Sequence, residues 1–288
     1  MSERVAEALL CGVAQTAPRL GEPARNLETC LAALEEAAAA GCRLLVLPEC
    51  ATSGYMFATE EEAARCAETV PGPSVEALEG ACARLGLHCV VGLLERDGDR
   101  LHNTAVLVGP EGLVGRYRKT HLPFLGVDRF VAPGDEPPAT FDTPLGRIGI
   151  EICYDLRFPE LTRALALGGA EIVVHPTNWP TAVKPLADFL TRARAAENRV
   201  FLMTANRVGR ERATRFFGRS QIVAPDGARL VEAGEEAEEL VVAEIDPGEA
   251  RQKNRVIVPG EYELHLFDDR RPELYGALVE DARPVHVR

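Results

Sequence analysis

The stretch Gly146-Arg-Ile-Gly-Ile-Glu-Ile-Cys-Tyr-Asp-Leu-Arg-Phe-Pro-Glu160 narrows the folds open to this chain more than any other. Ile148, Ile150 and Ile152 alternate with Arg147, Gly149 and Glu151, the period-2 pattern of a half-buried β-strand. The pattern predicts a strand that ends at Cys153. Pro159 suits the first turn of a helix, where its missing N–H costs nothing. Leu161 and Leu165 keep helical spacing, and Gly168-Gly169 can end the helix. A cysteine on such a turn meets free backbone N–H groups and the positive end of a helix dipole, which favour a thiolate. The competing reading is a small buried hydrophobe, as most unpaired cysteines are. Alternation also puts Glu151 on the face of Cys153, where a carboxylate opposes thiolate formation; a cation such as Arg147 or Arg157 is its expected partner.

Two other segments repeat this grammar. Leu44-Leu45-Val46-Leu47 is an apolar run expected of a strand buried on both faces; Pro48 stops it and Glu49 follows at once. An ionised carboxylate there must find a partner or shift its pKa. A short strand at 113–117 runs into Arg118-Lys119-Thr120-His121-Leu122-Pro123. Further strands are expected at 8–14, 88–94, 101–108, 171–175, 200–205, 216–224 and 240–245, and helices near 27–38, 60–68, 74–85 and 186–196. Asp97-Gly98-Asp99 signals a hairpin. The long Gly/Pro-containing segment 124–139 has the length of a functional loop. From Asp246 the chain reads as polar and irregular, a tail that wraps a neighbour or lies loose. Strand–helix alternation broken by hairpins predicts one α/β domain with mixed sheets.

Loops past the strand ends of layered α/β folds converge on ligand sites, which would bring Glu49, Lys119 and Cys153 together. A thiol, a carboxylate and an ammonium suffice for acyl transfer through sulfur. The carboxylate takes the thiol proton and returns it to a leaving amine, and the lysine steadies an oxyanion.

Composition removes other classes. The formal charge of −12 and the lack of a basic stripe argue against a nucleic-acid partner. No apolar run reaches the length of a membrane span, and the N-terminus lacks the plan of a signal peptide, so a cytoplasmic location is expected. The eight cysteines have irregular spacings, and Cys11, Cys30, Cys66 and Cys82 read as core thiols. None of the six histidines stands at zinc-ligand spacing, so no metal or other cofactor is expected. A thiol redox protein would want a Cys-x-x-Cys pair, which is missing.

Leu47-Pro48-Glu49, Lys119-Thr-His-Leu-Pro123 and Ile152-Cys-Tyr-Asp-Leu-Arg-Phe-Pro-Glu160, in this order, resemble the nitrilase superfamily of carbon–nitrogen hydrolases. The resemblance extends to Val13-Ala-Gln15, Thr204-Ala-Asn-Arg-Val-Gly209 and Pro225-Asp-Gly227. It implies a four-layer α-β-β-α sandwich with mixed sheets and dimers that pair into larger assemblies. It also implies a Glu-Lys-Cys triad without metal. One hydrolase domain then spans 1–288, with its core at about 8–245 and a C-terminal extension at 246–288 that packs on a partner subunit. Carried over by motif, Cys153 is the nucleophile and Glu49 the general base and acid, while Lys119 and the backbone N–H of Tyr154 form the oxyanion site. Asp128, one methylene shorter, stands where the family often has a second glutamate.

True nitrilases of the family typically carry Trp-Glu after the nucleophile. Cys153-Tyr154-Asp155 is similar instead to the amidase, carbamoylase and ω-amidase branch. The expected reaction is hydrolysis of a small carboxamide or N-carbamoyl compound through a thioester, with ammonia or an amine released. The alternatives are nitrile hydrolysis by the same triad and a catalytically silent scaffold. Tyr55, Phe124, Asn178 and Trp179 are the candidate substrate contacts, and Arg129, Lys184 and Arg207 the candidates for reading a substrate carboxylate.

Overall fold

The apolar runs of the first half become strands flanked by helices in the computed structural model, which describes residues 8–280. In order these are β1 (Leu9–Gln15), α1 (Pro23–Ala39), β2 (Leu44–Val46), α2 (Glu60–Ala64), α3 (Pro73–Leu85), β3 (His88–Asp97), β4 (Arg100–Gly109) and β5 (Gly112–Arg118). Proline occupies the first turn of α1 and of α3, where no N–H is needed. Gly86 ends α3 in the left-handed conformation (φ 71°), which only glycine adopts without cost. Along α1 the buried positions Asn26, Cys30, Ala33, Leu34 and Ala37 form one stripe.

The second half repeats the plan: β6 (Thr140–Thr143), β7 (Gly146–Ile150), α4 (Pro159–Leu167), β8 (Ile172–Thr177), α5 (Leu186–Asn198), β9 (Phe201–Asn206), β10 (Val208–Glu211), β11 (Thr214–Phe217), β12 (Gln221–Val223), β13 (Arg229–Glu232), β14 (Glu239–Ile245) and α6 (Pro247–Arg251). Two six-stranded sheets result, ordered β14-β1-β2-β3-β4-β5 and β13-β12-β9-β8-β7-β6. Each is parallel in the middle (β1-β2-β3 and β7-β8-β9) and antiparallel at its edges, so both are mixed.

Leu45, Leu47, Cys89 and Val91 pack outward against Leu34 of α1 and Val75 and Leu78 of α3. By alternation Leu44, Val46 and Val90 point to the other face, where β1, β2 and β3 meet β8 and β9 of the second sheet. Helices α4 and α5 pack against β7 and β9 on the far side. The layers run helix, sheet, sheet, helix.

Several expectations need correction. Strand β7 stops at Ile150, and a 3-10 turn (Cys153–Arg157) separates Cys153 from α4. The single strand expected at 216–224 is two, because Gly218 and Arg219 both take positive φ (65° and 58°) and turn the chain between β11 and β12. Cys66 is half-buried, unlike the buried Cys11, Cys30 and Cys82. The tail is not irregular: α6 follows Asp246, and residues 252–280 form a unit of their own around the hairpin β15 (Asn254–Val258) and β16 (Tyr262–His265). Residues 281–288 of the expected extension lie outside the described residues.

Candidate active site

Cys153 begins the turn beyond β7 with φ 49°, a left-handed conformation that a non-glycine residue holds only when its surroundings fix it. Asp155, two residues on, supplies much of that fixing. Its Oδ2 accepts from the N–H of Ile152 at 3.0 Å and from the Tyr117 hydroxyl at 2.8 Å. Its Oδ1 accepts from the N–H of His121 at 3.0 Å and lies 2.7 Å from His121 Nδ1. The Cys153 turn is thereby tied to the segment that leaves β5. The His121 ring stacks on Phe158 with centroids 3.7 Å apart.

Glu49 lies three residues past β2 and is placed by a close approach of backbones. A Cβ on Gly92 of β3 would stand 2.5 Å from the nitrogen of Cys50 and 2.6 Å from the Cα of Glu49. Only glycine permits that approach. Glu49 Oε1 accepts from Lys119 Nζ at 2.7 Å and from Asn103 Nδ2 at 2.7 Å. Its Oε2 is buried without a hydrogen-bond partner among the described residues. Lys119 Nζ also donates to Asp128 Oδ2 at 2.5 Å, and the Tyr55 hydroxyl donates to the same oxygen at 2.7 Å. Asn103 closes the ring by donating to Asp128 Oδ1 at 2.8 Å.

The electrostatics follow from burial. Glu49 is fully buried, and desolvation raises its pKa; Lys119 pulls it down, while Asp128 pushes it further up. Burial by itself would lower the pKa of Lys119, but Asp128 and Glu49 outweigh it and hold the ammonium protonated. Burial and Glu49 push the Cys153 thiol up to about 12, against the opposing pull of Lys119, the Thr177 hydroxyl and the Asn178 N–H. The thiolate expected from the turn geometry is therefore not the resting form. The thiol is neutral and needs a base, and an acidic side chain with a free oxygen is its neighbour.

The structure brings together Glu49, Lys119, Cys153, Asp128 and Tyr55. Asn178 joins them: its Nδ2 donates to the backbone carbonyl of Glu49 at 2.8 Å. Tyr154 sits directly after the thiol, half-buried, with its ring edge-on to Phe158. Trp179 is buried between His175 and Phe217, with centroids 5.1 Å and 6.4 Å away. Phe124 stands apart, 91% exposed, with the Arg129 guanidinium 5.9 Å from its ring.

Glu151 departs from expectation. It is fully buried and accepts from the Thr162 hydroxyl at 2.7 Å, whereas Arg147 pairs with Asp142 at 2.9 Å. Burial raises its pKa to about 8, so the group that would oppose the thiolate is largely neutral at pH 7. The three candidate carboxylate readers are all engaged. Arg207 pairs with Glu211 and donates to the Pro18 carbonyl at 2.8 Å, Lys184 pairs with Glu235 at 2.5 Å, and Arg129 donates to the carbonyls of Gly126 and Phe57.

Sequence reading missed Asn103 and His175. Asn103 sits mid-strand in β4, in the buried polar run His102-Asn103-Thr104, which an apolar strand interior does not ordinarily carry. That run was the available signal. Among the described residues no group of three or more His, Cys, Asp and Glu side chains is placed to hold a metal ion.

Known proteins share this fold. The carbon-nitrogen hydrolase family model matches residues 10–255. A protein of Pyrococcus abyssi named nitrilase is 40% identical over 262 residues, covering 91% of this chain and 97% of its own. The omega-amidase of Homo sapiens is 32% identical over 274 residues, covering 90% of this chain and 93% of its own. Among solved structures, an amidase of Nesterenkonia sp. AN1 superposes with a TM-score of 0.79 at 26% identity, covering 96% of this chain and 98% of that one. In that structure, of a variant with a glutamate replaced by leucine, the acetamide moiety of fluoroacetamide is joined covalently to the active site cysteine. Another of its structures, a cysteine-to-alanine variant, holds butyramide. With the family model covering most of its length, this chain belongs to the carbon–nitrogen hydrolases and is an enzyme of the nitrilase superfamily.

Proposed function

We propose that the chain hydrolyses small, uncharged carboxamides, with Cys153 as nucleophile, Glu49 as general base and acid, and Lys119 with the Tyr154 N–H as the oxyanion site. The observation that carries this reading is the neutral, buried Cys153 thiol beside a carboxylate whose second oxygen is free. Glu49 removes the thiol proton as sulfur attacks the amide carbonyl, and the negative charge that develops on the carbonyl oxygen falls to Lys119 and the N–H of Tyr154. Collapse breaks the C–N bond; ammonia leaves with the proton that Glu49 held, and a thioester remains. Glu49 then takes a proton from water, hydroxide adds to the thioester, and the acid departs as the thiol is restored. Asp128 supports the cycle in two ways. It anchors Lys119, and its charge makes Glu49 a stronger base.

The preference for uncharged amides rests on the commitment of Arg129, Lys184 and Arg207 to protein partners. The butyramide and acetamide groups seen in the Nesterenkonia amidase agree with it. A second reading, nitrile hydrolysis by the same triad, is favoured by the name of the Pyrococcus abyssi relative. A cytoplasmic homodimer or larger assembly belongs to the proposal as well. Leu167 and Phe189, exposed on α4 and α5, support self-association.

Ammonia release from aliphatic amides, ω-amides, N-carbamoyl amino acids and nitriles tests the reading, with Cys153→Ala as control. Release from butyramide that is absent in the variant is the expected result. Release from nitriles alone favours the second reading. Silence from every compound overturns both.

A further inference from the structure

His175 lies at the fourth position of β8, fully buried, and touches neither Glu49 nor Lys119 through any hydrogen bond. Its Nε2 is 3.1 Å from the carbonyl oxygen of Cys153. A carbonyl only accepts, so Nε2 must carry the hydrogen. Burial lowers the pKa of His175 to about 4, which leaves a neutral ring at pH 7 with a bare Nδ1. That nitrogen is 3.3 Å from the Thr204 hydroxyl on β9, which donates to it. The Cys153 carbonyl thus sets the tautomer, and the Thr204 hydroxyl, able to donate or accept, supports it from the other side of the ring.

The carbonyl of Cys153 and the N–H of Tyr154 belong to one rigid peptide plane, and in a trans peptide they point in opposite directions. Whatever holds that carbonyl from behind fixes where that N–H points in front. The plane follows a residue with φ 49°, in a region where backbone left to itself would relax. We propose that His175 is a positioning residue, whose hydrogen bond to the Cys153 carbonyl aims the Tyr154 N–H at the developing oxyanion. The proposal rests on the oxyanion role of that N–H given above. Removing one oxyanion donor costs about 10²–10³ in rate, so misdirecting it sets a loss of up to that size.

The test separates oxyanion stabilisation from thiol reactivity in the full chain. Iodoacetamide alkylates Cys153 by displacement of iodide, a step that forms no oxyanion. Butyraldehyde adds the thiol across its C=O, sulfur to carbon, giving a tetrahedral hemithioacetal whose oxygen occupies the oxyanion site and which shields the thiol from alkylation. Three variants are compared with the unaltered chain: His175→Phe removes the donor, His175→Gln restores an N–H at about the same reach, and the isosteric Thr204→Val removes the partner that steadies the ring at Nδ1. For His175→Phe, the butyraldehyde concentration that halves the alkylation rate is expected to rise about tenfold or more, with the rate in its absence unchanged within about twofold. kcat on butyramide is expected to fall about ten- to a hundredfold with little change in KM. His175→Gln should recover most of both, and Thr204→Val should show a smaller loss in the same direction.

Unchanged butyraldehyde protection in His175→Phe overturns the proposal. So does a parallel loss of alkylation and protection, which marks a general disturbance of the thiol. Should His175→Phe fail to fold, His175→Leu, which removes the donor with a smaller side chain, decides by the same two readouts. Failure of the unaltered chain to hydrolyse any amide, with butyraldehyde protection still sensitive to His175, would sink the functional reading and leave the positioning intact.

Discussion

Two buried residues near Cys153 give stability opposite pH slopes. Glu151, with its pKa raised by burial to about 8, keeps its proton in the fold where the unfolded chain would have lost it. Its contribution is full below about pH 4.5 and is lost as pH rises toward 8. His175 has a lowered pKa, so its contribution is present above about pH 6.5 and is lost as pH falls toward 4. Glutamine at position 151 can keep the hydrogen bond from Thr162 without an ionisable group. For Glu151→Gln the Tm, relative to the unaltered chain, is expected to rise steadily between pH 5 and pH 8.5; thermal melts across that range measure it. A relative Tm that does not change with pH would mean that Glu151 is already ionised in the fold. The sequence made Glu49, Lys119 and Cys153 legible because each follows a strand within a recognisable motif. Glu151 was misread because alternation gives the face but not the neighbour. Its partner, Thr162, comes from the following helix, and helix-to-strand packing leaves no local trace.

The elements carrying the site are held by approach as much as by pairing. Gly92 sits in a strand whose neighbours are almost all buried, and a methyl group there would lie within 2.7 Å of three backbone atoms of Pro48, Glu49 and Cys50. Backbone cannot yield as a side-chain tip does. For Gly92→Ala we expect a stability loss of about 1–3 kcal/mol, as for other overpacked positions. The turnover loss should exceed what that destabilisation explains, because the displaced segment carries Glu49. Denaturant titration and kcat on the same preparation separate the two effects, and full kcat in a folded variant would refute the argument. Strand and helix positions were readable from apolar period and from Pro and Gly punctuation. The hairpin β10–β11 was not: it carries Arg210, Glu211, Arg212 and Arg215, and it owes its place to the buried Arg207–Glu211 pair and to the Glu211 bonds to the N–H groups of Tyr55 and Met56.

At the scale of the whole molecule, the first sheet supplies Glu49 and Lys119 and the second supplies Cys153. The site is complete only while β1, β2 and β3 stay against β8 and β9. A small slip between the sheets misaligns the Glu49 carboxylate and the Cys153 thiol while leaving every strand paired. In urea, amide hydrolysis is therefore expected to disappear at a lower concentration than the far-ultraviolet circular dichroism of the sheets; coincident midpoints would show that the layers do not slip. The strand order has a further consequence. Strand β1 is zipped along its whole length to β14, from Leu9↔Ile245 to Gln15↔Glu239. The amide of Gln15 also reaches the carbonyls of Gly234 and Ala237 at 2.9 Å and 2.8 Å. Glu49, Lys119 and Cys153 have all been added to the chain by position 153, yet the partner that covers the edge of β1 is made about ninety residues later. For that interval the growing chain carries an unzipped strand edge, a ready template for pairing with another chain, so its manufacture, more than its finished form, is the stage exposed to aggregation.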